Sequence, residues 1–338
     1  MKIGEMFMRL LTYAFGIFLV AGCSAAAVNP AAAQLRPEIE TFVGEMVDRH
    51  GFNQAELENI FSMAQFQPAI IDAISRPATS RPWYEFRTIF VNPKRIAGGV
   101  AFWDSHAETL ERARRDFGIP EEIITAVIGV ETFYGAQAGK HRVLDALTTL
   151  AFGYPKRAGF FRDELEQYLL LGRDQKADVL NMKGSYAGAI GIPQFMPSSY
   201  RRYAVDYDND GRVDLSGNTA DAIGSVANYL KSYGWETEQA VVAPALVNSE
   251  IYREALFSGN WPSYTVTDLR TLGIVPRASV HGNPYATLIE LENNGGNEYW
   301  LGFNNFYVIT RYNRSVNYAM SVLELAQEIR IARSSGSQ

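Results

Sequence analysis

Between Ile123 and Val130 almost every position is apolar, and the run ends on one carboxylate in Ala126-Val127-Ile128-Gly129-Val130-Glu131-Thr132-Phe133-Tyr134-Gly135. Such a run predicts a helix buried on most faces. Gly118-Ile119-Pro120-Glu121-Glu122 supplies its start, with Pro early in the first turn and two acids at the positive dipole end. Gly135 is the predicted left-handed stop. Glu131 then falls in the last turn, where burial and the negative dipole end both disfavour the anion and raise its pKa. A carboxyl kept protonated near neutral pH is what a general acid needs. A buried Glu paired to a core Arg would give the same pattern.

Helical spacing also governs the chain before this run. Ile39, Phe42, Val43 and Met46-Val47 mark a helix from Pro37, and Asn53 with Glu56 marks a capped helix start. Pro77, Pro82 and Pro93 interrupt the next stretch. Phe90-Val91-Asn92-Pro93-Lys94-Arg95-Ile96 opens a further helix through Phe102-Trp103 to Ala113. Beyond Glu131, helices are predicted over Leu165–Leu171, and from Thr219 or Asp221 through Tyr229. Past Trp235 the texture changes to short strands: Val241-Val242, Thr287–Glu292 and Glu298–Gly302, the last two joined by Asn293-Asn294-Gly295-Gly296. The chain then returns to helix, ending around Val316–Ala332. The predicted class is α+β, mainly α, with a small antiparallel β insertion.

The 338 residues, 47% hydrophobic and 20% charged, suit about two globular domains. A net charge of -6 argues against a nucleic-acid surface. Lys2 and Arg9 precede an apolar segment, Leu10–Val20, that is short for a membrane span. Val20-Ala21-Gly22-Cys23 follows and resembles a bacterial lipobox, with Cys23 as the lipidated first residue and Ser24 pointing to the outer membrane. Cleavage near Ala31-Ala32-Ala33 is the competing reading. Both imply export. Cys23 is the sole cysteine, so no intramolecular disulfide stabilises the fold.

Two further stretches carry chemistry. Gly184-Ser185-Tyr186-Ala187-Gly188-Ala189-Ile190-Gly191-Ile192-Pro193-Gln194-Phe195-Met196-Pro197-Ser198-Ser199-Tyr200 combines small residues, which permit close backbone approach, with Ser185, Tyr186, Gln194 and Phe195. Donors, acceptors and flat apolar faces together suit a sugar; a tightly packed turn is the plainer reading. Asp206-Tyr207-Asp208-Asn209-Asp210-Gly211-Arg212-Val213-Asp214 has acids at positions 1, 3 and 5 and Gly at 6, the start of a calcium loop of EF-hand type. Arg212 would offer its carbonyl. Position 12 is Gly217 rather than Glu, and Asp221 could close the site through a longer loop. The plainer reading there is a solvated acidic turn. Ser198-Ser199 reads as a helix cap, and no zinc cluster, phosphate loop or nucleophile elbow is visible.

These stretches, with Asp221–Tyr229 and Phe306-Tyr307-Val308-Ile309-Thr310-Arg311-Tyr312-Asn313, resemble the membrane-bound lytic transglycosylase B family in that family's order over most of residues 37–332. The resemblance implies a lysozyme-like helical catalytic core. It divides the chain into a signal peptide (1–22), a tether (23–36), an N-terminal helical region (37–120), a catalytic core with the calcium loop (121–237), the β insertion (238–303), a return to the helical body (304–333) and a tail (334–338).

The implied reaction is cleavage of the β-1,4 bond between N-acetylmuramic acid and N-acetylglucosamine in peptidoglycan, without water, leaving 1,6-anhydromuramyl ends. Glu131 matches the catalytic acid. Ser185, Tyr186, Gln194 and Tyr229 match residues of the sugar cleft; Tyr312, Asn313 and Tyr318 match groups around the carboxyl; Lys156 and Arg157 match a basic pair for muramyl peptide or lactyl carboxylates. Asp206, Asp208, Asp210, Arg212 and Asp221 match the Ca2+ loop, a structural site, with no organic cofactor. The implied partners are glycan strands, a membrane reached only through a lipid anchor, and cell-wall synthesis or remodelling enzymes. Two rivals are a hydrolytic muramidase, for which Asp145 is the nearby second carboxylate although it reads as a helix cap, and a non-catalytic peptidoglycan-binding lipoprotein.

Overall fold

The computed structural model describes residues 36–75, 81–256 and 259–336. The predicted signal peptide, Cys23 and nearly all of the tether lie outside them. Among the described residues six helices precede the apolar run: α1 (Pro37–His50), α2 (Gln54–Ser62), α3 (Pro68–Ile74), α4 (Trp83–Phe90), α5 (Pro93–Ser105) and α6 (Ala107–Phe117). Local chemistry sets several boundaries. Pro37 and two acids open α1, and Gly51 closes it at φ 64°. Asn53 and Asn92 cap α2 and α5 through their side chains. The single helix expected from Pro93 to Ala113 is in fact two, broken at His106, whose φ of −125° ends α5 before α6 begins.

The apolar run forms α7 (Glu121–Thr132), with Ile124, Ala126, Val127 and Ile128 fully buried. Helices α8 (Val143–Gly153), α9 (Ala158–Gln175), α10 (Pro197–Tyr203) and α11 (Thr219–Ser232) follow. A two-residue pair, β1 (His141–Arg142) with β2 (Lys183–Gly184), closes the segment between them. Helix α7 packs against α5, α6, α11 and the last helix, α15 (Val316–Gly336). One hydrophobic core runs from Phe42 and Met46 in α1 through α7 and α8 to Ile329 in α15.

Among its described residues the insertion has five antiparallel strands, more than the three the sequence marks: β3 (Val242–Val247), β4 (Tyr264–Thr265), β5 (Ile274–Pro276), β6 (Tyr285–Asn293) and β7 (Gly296–Gly302). Their order is β4-β6-β7-β3-β5. The β6–β7 hairpin turns at Asn294-Gly295, with Asn293 paired to Gly296. Short helices α12 (Arg253–Leu256) and α13 (Val266–Thr271) cover one face, and Tyr252, Leu269, Ile274 and Leu288 belong to a second core. The chain re-enters the body through α14 (Asn304–Tyr312). Among the described residues no helix is long and apolar enough to cross a membrane.

Candidate active site

Three successive residues after α7, Phe133 (φ 51°), Tyr134 (φ 61°) and Gly135 (φ 89°), take left-handed backbone. The helix therefore stops at Phe133, not at Gly135 as its composition suggests. That conformation is costly for bulky residues and needs support from its surroundings. The Tyr134 hydroxyl donates to the Arg95 carbonyl at 2.7 Å. Its ring lies against Gly129 so closely that a Cβ there would sit 2.7 Å from ring atoms. The Arg95 guanidinium donates to the Gly129 carbonyl and sits over the rings of Phe90 and Phe133, 5.2 and 5.1 Å from their centroids. Thr132 donates to the Ile192 carbonyl at 2.8 Å and accepts from the Gly135 N–H at 3.0 Å. The end of α7 is thus fixed from α5 and from the Gly-rich loop.

Glu131 sits half-buried at this fixed end. Its Oε1 accepts a 2.6 Å hydrogen bond from the Tyr318 hydroxyl, in the first turn of α15. Burial lifts the Glu131 pKa to about 7, against the opposing pull of that hydrogen bond. Burial, with the charge of Glu131 next, holds the Tyr318 phenol far above its usual value, so it stays a donor. Among the described residues no arginine pairs with Glu131: the guanidinium of Arg95, the basic group bonded to the end of its helix, donates to the Gly129 carbonyl instead.

Aromatic rings surround the pair. The rings of Tyr318 and Tyr312 are near-parallel, 6.5 Å apart at 15°. Tyr312 donates to the Pro193 carbonyl at 2.7 Å, and Tyr229 donates to the Arg311 carbonyl at 2.7 Å. Phe195 packs on both, 5.4 Å from Tyr229 and 5.8 Å from Tyr312. Gln194 takes φ 52°, and its amide donates to the carbonyls of Ala138 (3.0 Å) and Gly191 (2.8 Å). Ser185 Oγ accepts from the N–H groups of Ala187 and Ala189, and Tyr186 stands exposed beside it. Asn313 is exposed and turns the chain from α14 into α15 by accepting from the Ser315 N–H. Lys156 and Arg157 lie on a short 3-10 turn before α9, with Arg157 over Phe160 at 4.3 Å.

Two acids prove to be braces. Asp145 is buried in the first turn of α8, where Oδ1 accepts from the Gln65 N–H at 2.8 Å and both oxygens take Arg142, at 2.9 and 2.5 Å. It is not a cap, and its oxygens are committed. Glu164 accepts from the N–H and hydroxyl of Ser198 at 2.9 and 2.7 Å. Ser198 thus serves as a partner to α9, while Met196 occupies the cap position of α10 with no side-chain cap bond.

In the acidic loop, ligand oxygens of Asp206, Asp208 and Asp210 lie within 4.8 Å of one another. Amides hold them there: Gly211 N–H donates to Asp206 Oδ2 (2.8 Å) and Arg212 N–H to Asp210 Oδ1 (2.9 Å). Three converging all-oxygen donors fit a hard cation such as Ca2+. Asp221 is fully buried below the loop, its two oxygens accepting from the Tyr207 and Asp214 N–H groups, each at 2.7 Å. It ties α11 to the loop rather than joining the three.

A family model, the transglycosylase SLT domain, matches residues 34–327. The chain belongs to this family. It is 42% identical over 307 residues to membrane-bound lytic murein transglycosylase B of Escherichia coli, covering 88% of this chain and 84% of that one. The solved Escherichia coli lytic transglycosylase Slt35 in complex with calcium superposes with a TM-score of 0.80 at 41% identity, covering 88% of this chain and 94% of that one. SltB3 from Pseudomonas aeruginosa, in complex with NAG-anhNAM-pentapeptide, superposes at 0.76 with 28% identity, covering 87% and 79%. The chain is accordingly a lytic transglycosylase with the lysozyme-like fold of those relatives.

In this transglycosylase, the fold gathers Glu131, Tyr318, Tyr312, Tyr229 and Gln194 from α7, α15, α14, α11 and the Gly-rich loop. Among the described residues no contact joins Lys156 or Arg157 to Glu131 or Tyr318. Sequence reasoning gave Arg95 and Tyr134 no role at this site. Their signal was present: an Arg in the segment before α7 and a Tyr just past its end, at a helix terminus with an uncapped carbonyl.

Proposed function

We propose that the protein cleaves the β-1,4 bond between N-acetylmuramic acid and N-acetylglucosamine in peptidoglycan and leaves 1,6-anhydromuramyl ends, with Glu131 as acid and then base. Protonated Glu131 gives its proton to the glycosidic oxygen as the C1–O bond breaks, and N-acetylglucosamine leaves as the alcohol. The muramyl acetamido oxygen stabilises the positive charge at C1. The C6 hydroxyl then attacks C1, and its proton passes to the Glu131 carboxylate. Glu131 ends as it began and no water is consumed, so one carboxyl serves both steps where hydrolytic glycosidases use two.

The observation that carries this reading is Glu131 itself: a carboxyl with its pKa near neutrality, hydrogen-bonded to a phenol that stays a donor. Asp145, the candidate second carboxylate of a muramidase, is bound to Arg142 and Gln65. Around Glu131, we assign Tyr229, Tyr312, Tyr186, Ser185 and Gln194 to sugar contacts, Asn313 to shaping the groove, and Lys156 and Arg157 to substrate carboxylates. Asp206, Asp208 and Asp210, with the Arg212 carbonyl, would hold Ca2+, which would neutralise the loop and fix it above Asp221. The protein would act in the periplasm, anchored to the outer membrane through a lipid on Cys23. Mass spectrometry of muropeptides released by wild type and by Glu131→Gln tests the reaction: anhydro ends from the first and none from the second are expected, and reducing ends from the first would refute it.

A further inference from the structure

A second concave feature lies away from Glu131. A cleft of about 940 Å³ opens in the β insertion where it meets the start of α14. Its insertion side carries Trp261 and Tyr285, which are 55% and 61% exposed and are the two most exposed aromatic side chains among the described residues. Gln239, Ser263, Ser279 and His281 supply polar groups, and Phe303 and Asn304, at the start of α14, form its floor.

A chain of contacts links the cleft to the residues around Glu131. Trp261 meets Tyr307 of α14 edge-on, with centroids 4.6 Å apart at 85°. One turn further along α14, the Arg311 guanidinium lies over the same Tyr307 ring, 4.0 Å from its centroid. The Arg311 carbonyl accepts from Tyr229, and Tyr312 is the next residue. The loop bearing Trp261 is also pinned beside the groove, because Asn260 donates to the Arg314 carbonyl at 2.8 Å. From Asn304 to Tyr312 the helix spans nine residues, or about 13 Å. Asn304 at one end of this helix lines the cleft, and Tyr312 at the other stands beside the Glu131–Tyr318 pair.

We propose that this cleft is a second binding site for the glycan strand, holding sugars several positions from the bond being cut. The inference rests on the assignment of peptidoglycan as substrate. Exposed flat rings beside amide, hydroxyl and imidazole groups are what the C–H faces and polar rims of N-acetylated sugars require. Glu236 and Glu238 at the cleft give it an acidic character that suits uncharged sugars better than the carboxylates of stem peptides.

The test uses the full chain carrying Glu131→Gln, which binds without turnover, and peptide-free glycan strands as the probe. Adding Trp261→Ala and Tyr285→Ala should weaken binding about tenfold, the sum of two modest ring contacts. Tyr84→Ala, at an exposed aromatic outside the cleft, should change nothing. With Glu131 intact, the double variant should show a higher KM on long strands and unchanged turnover of a fragment just long enough to fill the catalytic groove. Tyr285→Ala alone, at a largely exposed position, keeps the test valid if the double variant folds poorly. Unchanged affinity and KM would overturn the cleft assignment, as would competition by soluble stem peptides without competition by N-acetylglucosamine oligomers. Failure of the wild type to release any muropeptide would instead sink the catalytic reading itself.

Discussion

The Tyr318 hydroxyl lies 2.6 Å from Glu131 Oε1 and bridges the first turn of the last helix to the last turn of α7. This contact tunes the acid. A phenol that stays protonated stabilises the carboxylate more than the acid form and so limits how far burial can raise the Glu131 pKa.

Tyr318→Phe should therefore raise the Glu131 pKa above about 7, by roughly one unit for loss of one hydrogen bond to a charged acceptor. In wild type, the protonated acid is depleted as pH rises through about 7, so kcat/KM should fall on that limb. In the variant the limb moves to higher pH, and the maximal rate drops because the anion needed in the second step loses its partner. A pH–rate profile of both proteins checks this; an unmoved limb would contradict it.

The same shift burdens stability. The folded pKa of Glu131, about 7, lies above the unfolded value near 4.5, so the folded state binds more protons between them. Stability tied to this group is fully present below about pH 4.5 and is lost as pH rises through about 7. Glu131→Gln removes that loss, and should be more stable than wild type at pH 8 by roughly 1–3 kcal/mol, with little difference at pH 4. Denaturant titrations at the two pH values measure it.

The Asp206–Asp210 loop should make stability depend on Ca2+. Millimolar Ca2+ is expected to raise Tm by roughly 5 °C over chelated protein. Asp206→Asn with Asp208→Asn should abolish that difference. Asp221→Ala should lower Tm even with Ca2+ present, because it strips two backbone amides, one buried and one half-buried, of their acceptor. Thermal melts with calcium and with chelator separate the two effects.

Gly129→Ala should impair turnover more than sugar binding. Its Cβ would meet the Tyr134 ring at 2.7 Å, and that ring cannot move without disturbing the Arg95 and Phe133 contacts that fix the end of α7. The expected readout is a lower kcat at nearly unchanged KM.

Much of this was legible in sequence because it is local. The apolar run placed Glu131 at a buried helix end, alternating Asp with Gly marked the acidic loop, and Asn-Gly-Gly marked the β6–β7 turn. The misreadings came from contacts between segments distant in sequence. Gly135 looked like the helix stop, yet Phe133 takes that role because Arg95 and Tyr134 pack around it. Ser198 looked like a cap, yet Glu164, from another helix, is its partner. Asp221 looked like a metal ligand by spacing, and its oxygens are directed at two amides instead. Strands β4 and β5 have two and three residues and leave too little pattern to read.

The most direct measurement is a digest of purified sacculi in water enriched in heavy oxygen, followed by mass spectrometry of the new muramyl ends. Intramolecular closure by the C6 hydroxyl predicts anhydro ends without the label, lost entirely in Glu131→Gln and retained in Asp145→Asn. Labelled reducing ends from the wild type, or undiminished release by Glu131→Gln, would contradict a single carboxyl acting as both acid and base.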